Sequence, residues 1–142
     1  MITLVVRRTI RATPERLFDA WTRPEELRKW WGPQGVTCIA AEVDLRVGGR
    51  YRIANQFADG RLLWISGEFE LIERPRTLAY TWQLEPPVGP AERVVVTLEA
   101  HGPDTCVVVT HQRITDAKLR QQHEQGWLGC FESLAGYLES RS

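Results

Sequence analysis

His111 and His123 are the residues of this chain best suited to chemistry. Imidazole titrates near neutral pH, so two rings that meet can move a proton or hold a metal ion. His111 sits in phase with Val107 and Val109 on a strand-like segment, and His123 sits on the apolar stripe of the helical segment that follows. The two can therefore approach each other. The plainer reading makes them hydrogen-bonded histidines at the edge of a core. No carboxylate at metal-ligand spacing accompanies them, since Asp116 and Glu124 read as helix surface, so no metal is expected. His101, beside Gly102-Pro103, reads as a turn residue.

The 6 tryptophans are the other rich material. Trp82 faces inward from a strand and Trp127 lies on the covering helix, so both could line a pocket, although plain core packing serves aromatic rings as well. Trp21 and Trp31 are expected to pack short helices onto a sheet. Trp64 alternates with Leu63 and Ile65 and points outward, where it could serve a homodimer contact. Arg50 and Arg52 share a strand face opposite Tyr51 and Ile53, and solvent is their default place. With the phase reversed they could pair with a carboxylate or phosphate. No Ser-His-Asp or Cys-His constellation can be assembled, and Gly48-Gly49 lacks the context of a phosphate loop. The 3 cysteines, Cys38, Cys106 and Cys130, form no Cys-x-x-Cys pair and read as buried reduced thiols.

The elements that position these residues follow from period and punctuation. Leu4, Val6 and Ile10 share one face of an opening strand. Thr13-Pro14 starts a helix, because Thr caps well and Pro suits the first helical position. Arg23-Pro24 ends it and begins a second helix, Glu25 to Trp31, stopped by Gly32-Pro33. From Val36 the period becomes two. Strands are expected near Thr37–Leu45, Tyr51–Phe57, Leu62–Ile72 and Leu78–Leu84, and then around Val94, Val96 and Leu98 and around Val107 to His111. Val47-Gly48-Gly49-Arg50 reads as a two-residue Gly-Gly hairpin, and Asp59-Gly60 marks the next one. From about Asp116 to Glu139, Leu119, His123, Gly126, Trp127, Cys130, Leu134, Tyr137 and Leu138 fall on one helical stripe. A sheet with one apolar face needs a cover. The helical ends are the only candidates, with Trp127 presented toward Trp82.

The 142 residues make one domain, 1–142, with room for a core. Lys+Arg and Asp+Glu are both 18, so no net field draws nucleic acid. The N-terminus lacks the pattern of a signal peptide. No apolar run approaches the ~20 residues that span a bilayer. A cytoplasmic protein with no membrane partner is expected.

Strand, two short helices, a six-stranded antiparallel run and a long C-terminal helix resemble the helix-grip fold of the START-like, or SRPBCC, superfamily that includes the birch-pollen-allergen proteins. Pro14-Glu15-Arg16-Leu17-Phe18-Asp19-Ala20-Trp21-Thr22-Arg23-Pro24 and Trp30-Trp31-Gly32-Pro33 are similar to the family named for the heat-shock-chaperone ATPase activator homologue. Gly48-Gly49-Arg50-Tyr51, Gly67-Glu68-Phe69, Leu78-Ala79-Tyr80-Thr81-Trp82 and His123-Glu124-Gln125-Gly126-Trp127 extend the match. The resemblance implies an α+β fold, a curved sheet of about seven strands around the C-terminal helix. A cavity for a small apolar or aromatic molecule is expected, because the aromatic set Trp30, Tyr80, Trp82, Trp127 and Phe131 with the polar His111 and His123 is a mixture typical of ligand pockets, and no cofactor is expected. One alternative is an enzyme of the polyketide cyclase/dehydratase type, in which His111, Tyr80 and His123 polarise a ketone. Another is a co-chaperone or protein-interaction domain, with a chaperone as partner by family analogy.

Overall fold

The computed structural model describes residues 1–139. Seven strands form one antiparallel, curved sheet in the order β1-β7-β6-β5-β4-β3-β2. They are β1 (Ile2–Ile10), β2 (Val36–Val43), β3 (Arg50–Phe57), β4 (Leu62–Glu73), β5 (Thr77–Glu85), β6 (Glu92–His101) and β7 (Asp104–Ile114). Helices α1 (Pro14–Thr22) and α2 (Pro24–Trp30) follow β1, and the long α3 (Ala117–Glu139) ends the described chain. The expected architecture is the observed one, with element ends displaced by a residue or two.

Local chemistry sets these boundaries. Thr13 caps α1, its hydroxyl accepting from the Arg16 N–H at 3.1 Å, and Pro14 opens the helix. Pro24 begins α2 directly behind, with Glu25 and Glu26 in its first turn and Arg28 and Lys29 in its last, each sign matching the helix dipole. The turn after β2 departs from expectation. Instead of a two-residue Gly-Gly hairpin, the connection runs from Asp44 to Gly49, because its tip is claimed by another strand. The Gly48 N–H donates to the Phe69 carbonyl and the Phe69 N–H donates to the Gly49 carbonyl, both at 2.9 Å.

Alternation along the strands sorts the two faces. Leu4, Val6 and Ile10 of β1, Val94, Val96 and Leu98 of β6, and Val107 and Val109 of β7 are buried under the helices. Arg50 and Arg52 point to solvent, as expected. Trp64 shares that outer face. The Arg52 guanidinium lies 3.9 Å from its ring centre and is itself held by Glu85, so one face of the indole is already covered.

Three contacts lock the helices over the sheet. The Trp30 indole N–H donates to the Ala20 carbonyl at 2.8 Å, fixing α2 on α1. The Ser133 hydroxyl donates to the Trp30 carbonyl at 2.6 Å, fixing α3 on α2. Tyr137 of α3 and Arg16 of α1 both meet the Glu26 carboxylate of α2. Among the described residues the three cysteines are free thiols; Cys38 and Cys130 are buried and Cys106 is partly so. No described helix is long and apolar enough to cross a membrane.

Candidate functional site

Four strands contribute inward side chains to the floor of a cavity, His111 of β7, Trp82 of β5, Ile65 of β4 and Asn55 of β3, and Glu92 is buried on β6, the strand between β7 and β5. Register places them side by side: Trp82 pairs with Glu92, Ile65 with Ile53, and Val94, two residues beyond Glu92, with His111. Helix α3 roofs this floor with Gln122, His123, Gly126, Trp127 and Cys130, while Trp31 and Pro33 close one side. Between floor and roof lies a cavity of about 120 Å³. It opens past Trp31, Pro33, Gln122 and Gly126 onto a broad surface groove of about 890 Å³.

Two glycines of α3 set the shape of this mouth. A β-carbon on Gly129 would come within 2.5 Å of Pro33, so glycine lets the Trp31–Pro33 segment lie tight against the helix. A β-carbon on Gly126 would meet nothing within 4 Å, so there glycine leaves the opening clear.

The polar end of the cavity is built on Glu92. Its Oε1 lies 2.7 Å from His111 Nε2 and 2.8 Å from His123 Nε2. The imidazoles are stacked, with centroids 4.2 Å apart and planes 21° from parallel. Trp127 fixes the tautomer of His111. An indole N–H can only donate, and it points at His111 Nδ1 at 3.0 Å. Nδ1 therefore carries the lone pair and Nε2 carries the proton, which it donates to Glu92. Burial pushes His111 below its ordinary pKa and outweighs the carboxylate's opposing pull, so the ring is held neutral. Burial alone would raise the Glu92 carboxyl, but the hydrogen bond from His111 and the close approach of the His123 ring overcome it and hold the group down to about 2.

His123 is the less restrained ring. Its Nε2 is buried beside Glu92 but out of line for a hydrogen bond, leaving it without a partner. A ligand cage for a cation fits this cluster poorly, although its donor atoms lie within 4.8 Å of one another. Metal-bound imidazoles donate their second N–H to a neighbour, whereas His111 Nδ1 accepts. Glu92 holds the His111 ring by a hydrogen bond, and His123 stacks on that ring beside the same carboxylate.

Of the pocket candidates, Trp82, His111, His123 and Trp127 line the cavity. Trp127 meets His111 rather than Trp82: its ring stacks on Trp21 and stands edge-on to Trp31, while Trp82 packs edge-on to both histidines. Trp30 and Phe131 are each 1% exposed and belong to the core. Tyr80 sits beneath α1, accepting from the Trp21 indole at 3.3 Å, and burial pushes its phenol above the ordinary range. The space around Tyr80 is a void of about 20 Å³, room for about one water and not for a ring. Trp31, expected only to pack a helix, forms a cavity wall as well.

Sequence reasoning missed two residues. The histidines do have a carboxylate, Glu92, which lies some twenty residues before His111 and is invisible to local spacing. Period two could have found it, since Glu92 continues the inward series Val94, Val96, Leu98. Asn55 likewise continues Tyr51 and Ile53. A polar residue at an inward strand position was the available signal.

A family model described as Activator of Hsp90 ATPase homolog 1-like protein matches residues 11–139. Among solved structures, a protein from Chromobacterium violaceum is similar at 25% identity, covering 96% of each chain with a TM-score of 0.89. A protein from Silicibacter pomeroyi bearing the same family name is 24% identical, with 99% of this chain and 100% of that one covered and a TM-score of 0.89. A protein in the dynemicin biosynthetic locus is 23% identical over 99% of this chain and 48% of its own, with a TM-score of 0.80. No curated protein matches the chain.

Proposed function

We propose that this chain, which belongs to the Activator of Hsp90 ATPase homolog 1-like family of the START/SRPBCC superfamily, binds a small aromatic molecule between its sheet and α3. The carrying observation is the cavity of about 120 Å³, walled by Trp31, Trp82, Trp127 and Ile65, with polar groups gathered at a few points. Apolar walls with few convergent polar groups are what ligand sites share. The volume is that of a single ring. Apolar cavities of about 150 Å³ take up benzene, whereas a polycyclic ligand would have to displace Trp31 and Pro33.

Gly126→Leu tests this reading. Removing a helix-interior glycine favours the helix by about 1 kcal/mol, so the variant is expected to fold at least as stably. The new side chain would cover the mouth. Toluene titrated against tryptophan fluorescence should bind the natural protein, and Gly126→Leu should weaken that binding about tenfold or more. Equal binding by both proteins would remove the cavity as the site.

A second reading has its own support in Glu92 set against two histidines. It is an acid–base enzyme of the cyclase/dehydratase type, with His123 as the proton carrier and Glu92 its orienting carboxylate. The structural neighbour from the dynemicin biosynthetic locus fits that reading. Here His123→Ala should abolish turnover of a short poly-β-ketone substrate while leaving toluene binding within about threefold. Turnover that survives the change would end the catalytic reading. A chaperone partner rests on the family name alone.

A further inference from the structure

Asn55 is the residue of the cavity that packing does not explain. It stands on the inward phase of β3 with Tyr51 and Ile53, it is 6% exposed, and it lines the cavity floor. Its Oδ1 is buried with no hydrogen-bond partner. An orphan acceptor of this kind destabilises the fold, and a leucine of the same branched outline would avoid the cost. The neighbouring inward positions are filled by Ile53 and Ile65, so the sheet tolerates apolar groups here.

We infer that Asn55 makes the cavity selective for neutral one-ring molecules bearing an O–H or N–H donor, phenols being the class that fits. The inference rests on the binding reading above and adds the polarity of the ligand. The volume of about 120 Å³ admits one ring. The walls Trp31, Trp82 and Trp127 offer aromatic faces and edges to it. The donor goes to the Asn55 amide on the floor, whose Oδ1 has no other hydrogen-bond partner. Negative charge is rejected at the same end, because the Glu92 carboxylate is held ionised by its two histidines. A carboxylate ligand would bring a second anion into a site with no buried Arg or Lys to receive it.

Phenol and toluene are the decisive pair, since they differ by hydroxyl against methyl at equal size. Toluene is the more hydrophobic and would lead if the site were indifferent to donors. Titrated against tryptophan fluorescence, phenol should bind the natural protein at least as tightly as toluene. Anisole, with an acceptor and no donor, should bind about tenfold less tightly than phenol, and benzoate should not bind. Asn55→Leu should shift the phenol-to-toluene affinity ratio toward toluene by about tenfold, the size of one lost hydrogen bond. It should also raise Tm, which a purely structural asparagine would not do on removal. Toluene binding more than tenfold tighter than phenol in the natural protein would overturn the inference and leave the binding reading standing, without recourse to any variant. An unchanged ratio in Asn55→Leu would overturn it too, as expected if water already satisfies the amide. Binding of neither compound would sink both readings together.

Discussion

Glu92→Ala should lower the free energy of unfolding by about 3 kcal/mol at pH 7, read from urea denaturation. The substitution removes few apolar contacts, so a packing argument predicts much less. The expected loss comes from the groups left behind. His111, 1% exposed, would lose the acceptor for its Nε2–H, and His123 would lose the carboxylate 2.8 Å from its buried Nε2. Glu92→Gln keeps an acceptor oxygen and should cost about 1 kcal/mol. The pair also sets the acid limb of stability. A carboxyl held at about 2 in the folded chain, against an ordinary 4.5, contributes stability that is complete above the unfolded value. That stability is lost as pH falls from about 4.5 toward 2. His111, whose folded-state pKa is depressed, acts in the same sense at higher pH: the unfolded ring takes up a proton first as pH drops below 6.5. Glu92→Gln should therefore flatten the decline below pH 4.5 and spare the shallower one above it. A loss under 1 kcal/mol in Glu92→Ala would mean that solvent reaches the cluster and that the site lacks the dry polar end described here.

Trp127→Ala should cost about 4 kcal/mol, near the upper range for emptying an aromatic core position. The indole is 5% exposed and touches Trp21, Trp31 and Phe131 as well as His111. Trp127→Phe separates packing from chemistry. It keeps most of the apolar contact and removes the N–H, so a loss of about 1–2 kcal/mol is expected. Its more telling consequence is at His111. Nitrogen-15 NMR should show the natural ring as a single neutral tautomer protonated on Nε2, and Trp127→Phe should show a mixture. Unchanged ring-nitrogen shifts in the phenylalanine variant would mean that Glu92 alone fixes the tautomer, and that α3 contributes a wall to the site without tuning it.

The order of elements was legible in the residues because each boundary is a local event. Thr13-Pro14 and Arg23-Pro24 specify helix starts wherever they stand, and the change to period two after Val36 needs no partner to be read. Outward placement of Arg50 and Arg52, and inward placement of His111 and Trp82, followed from the same alternation. The Gly48-Gly49 turn was misjudged for the opposite reason. Its conformation depends on Phe69, a residue some twenty positions away, which captures the loop tip with two backbone hydrogen bonds.

What this chain's residues determined by themselves is the pattern of faces: which side of each strand and helix is apolar, and hence that α3 must cover a curved antiparallel sheet. Only the folded chain decided which inward polar groups meet. Glu92, His111, His123 and Asn55 lie on four different elements, and strand order and register bring them under one helix. Pairing between strands is a long-range choice made by the whole sheet, so no short stretch of residues carries it. The room left above that floor is decided there too. It depends on how closely Pro33 approaches Gly129, a contact between segments about a hundred residues apart.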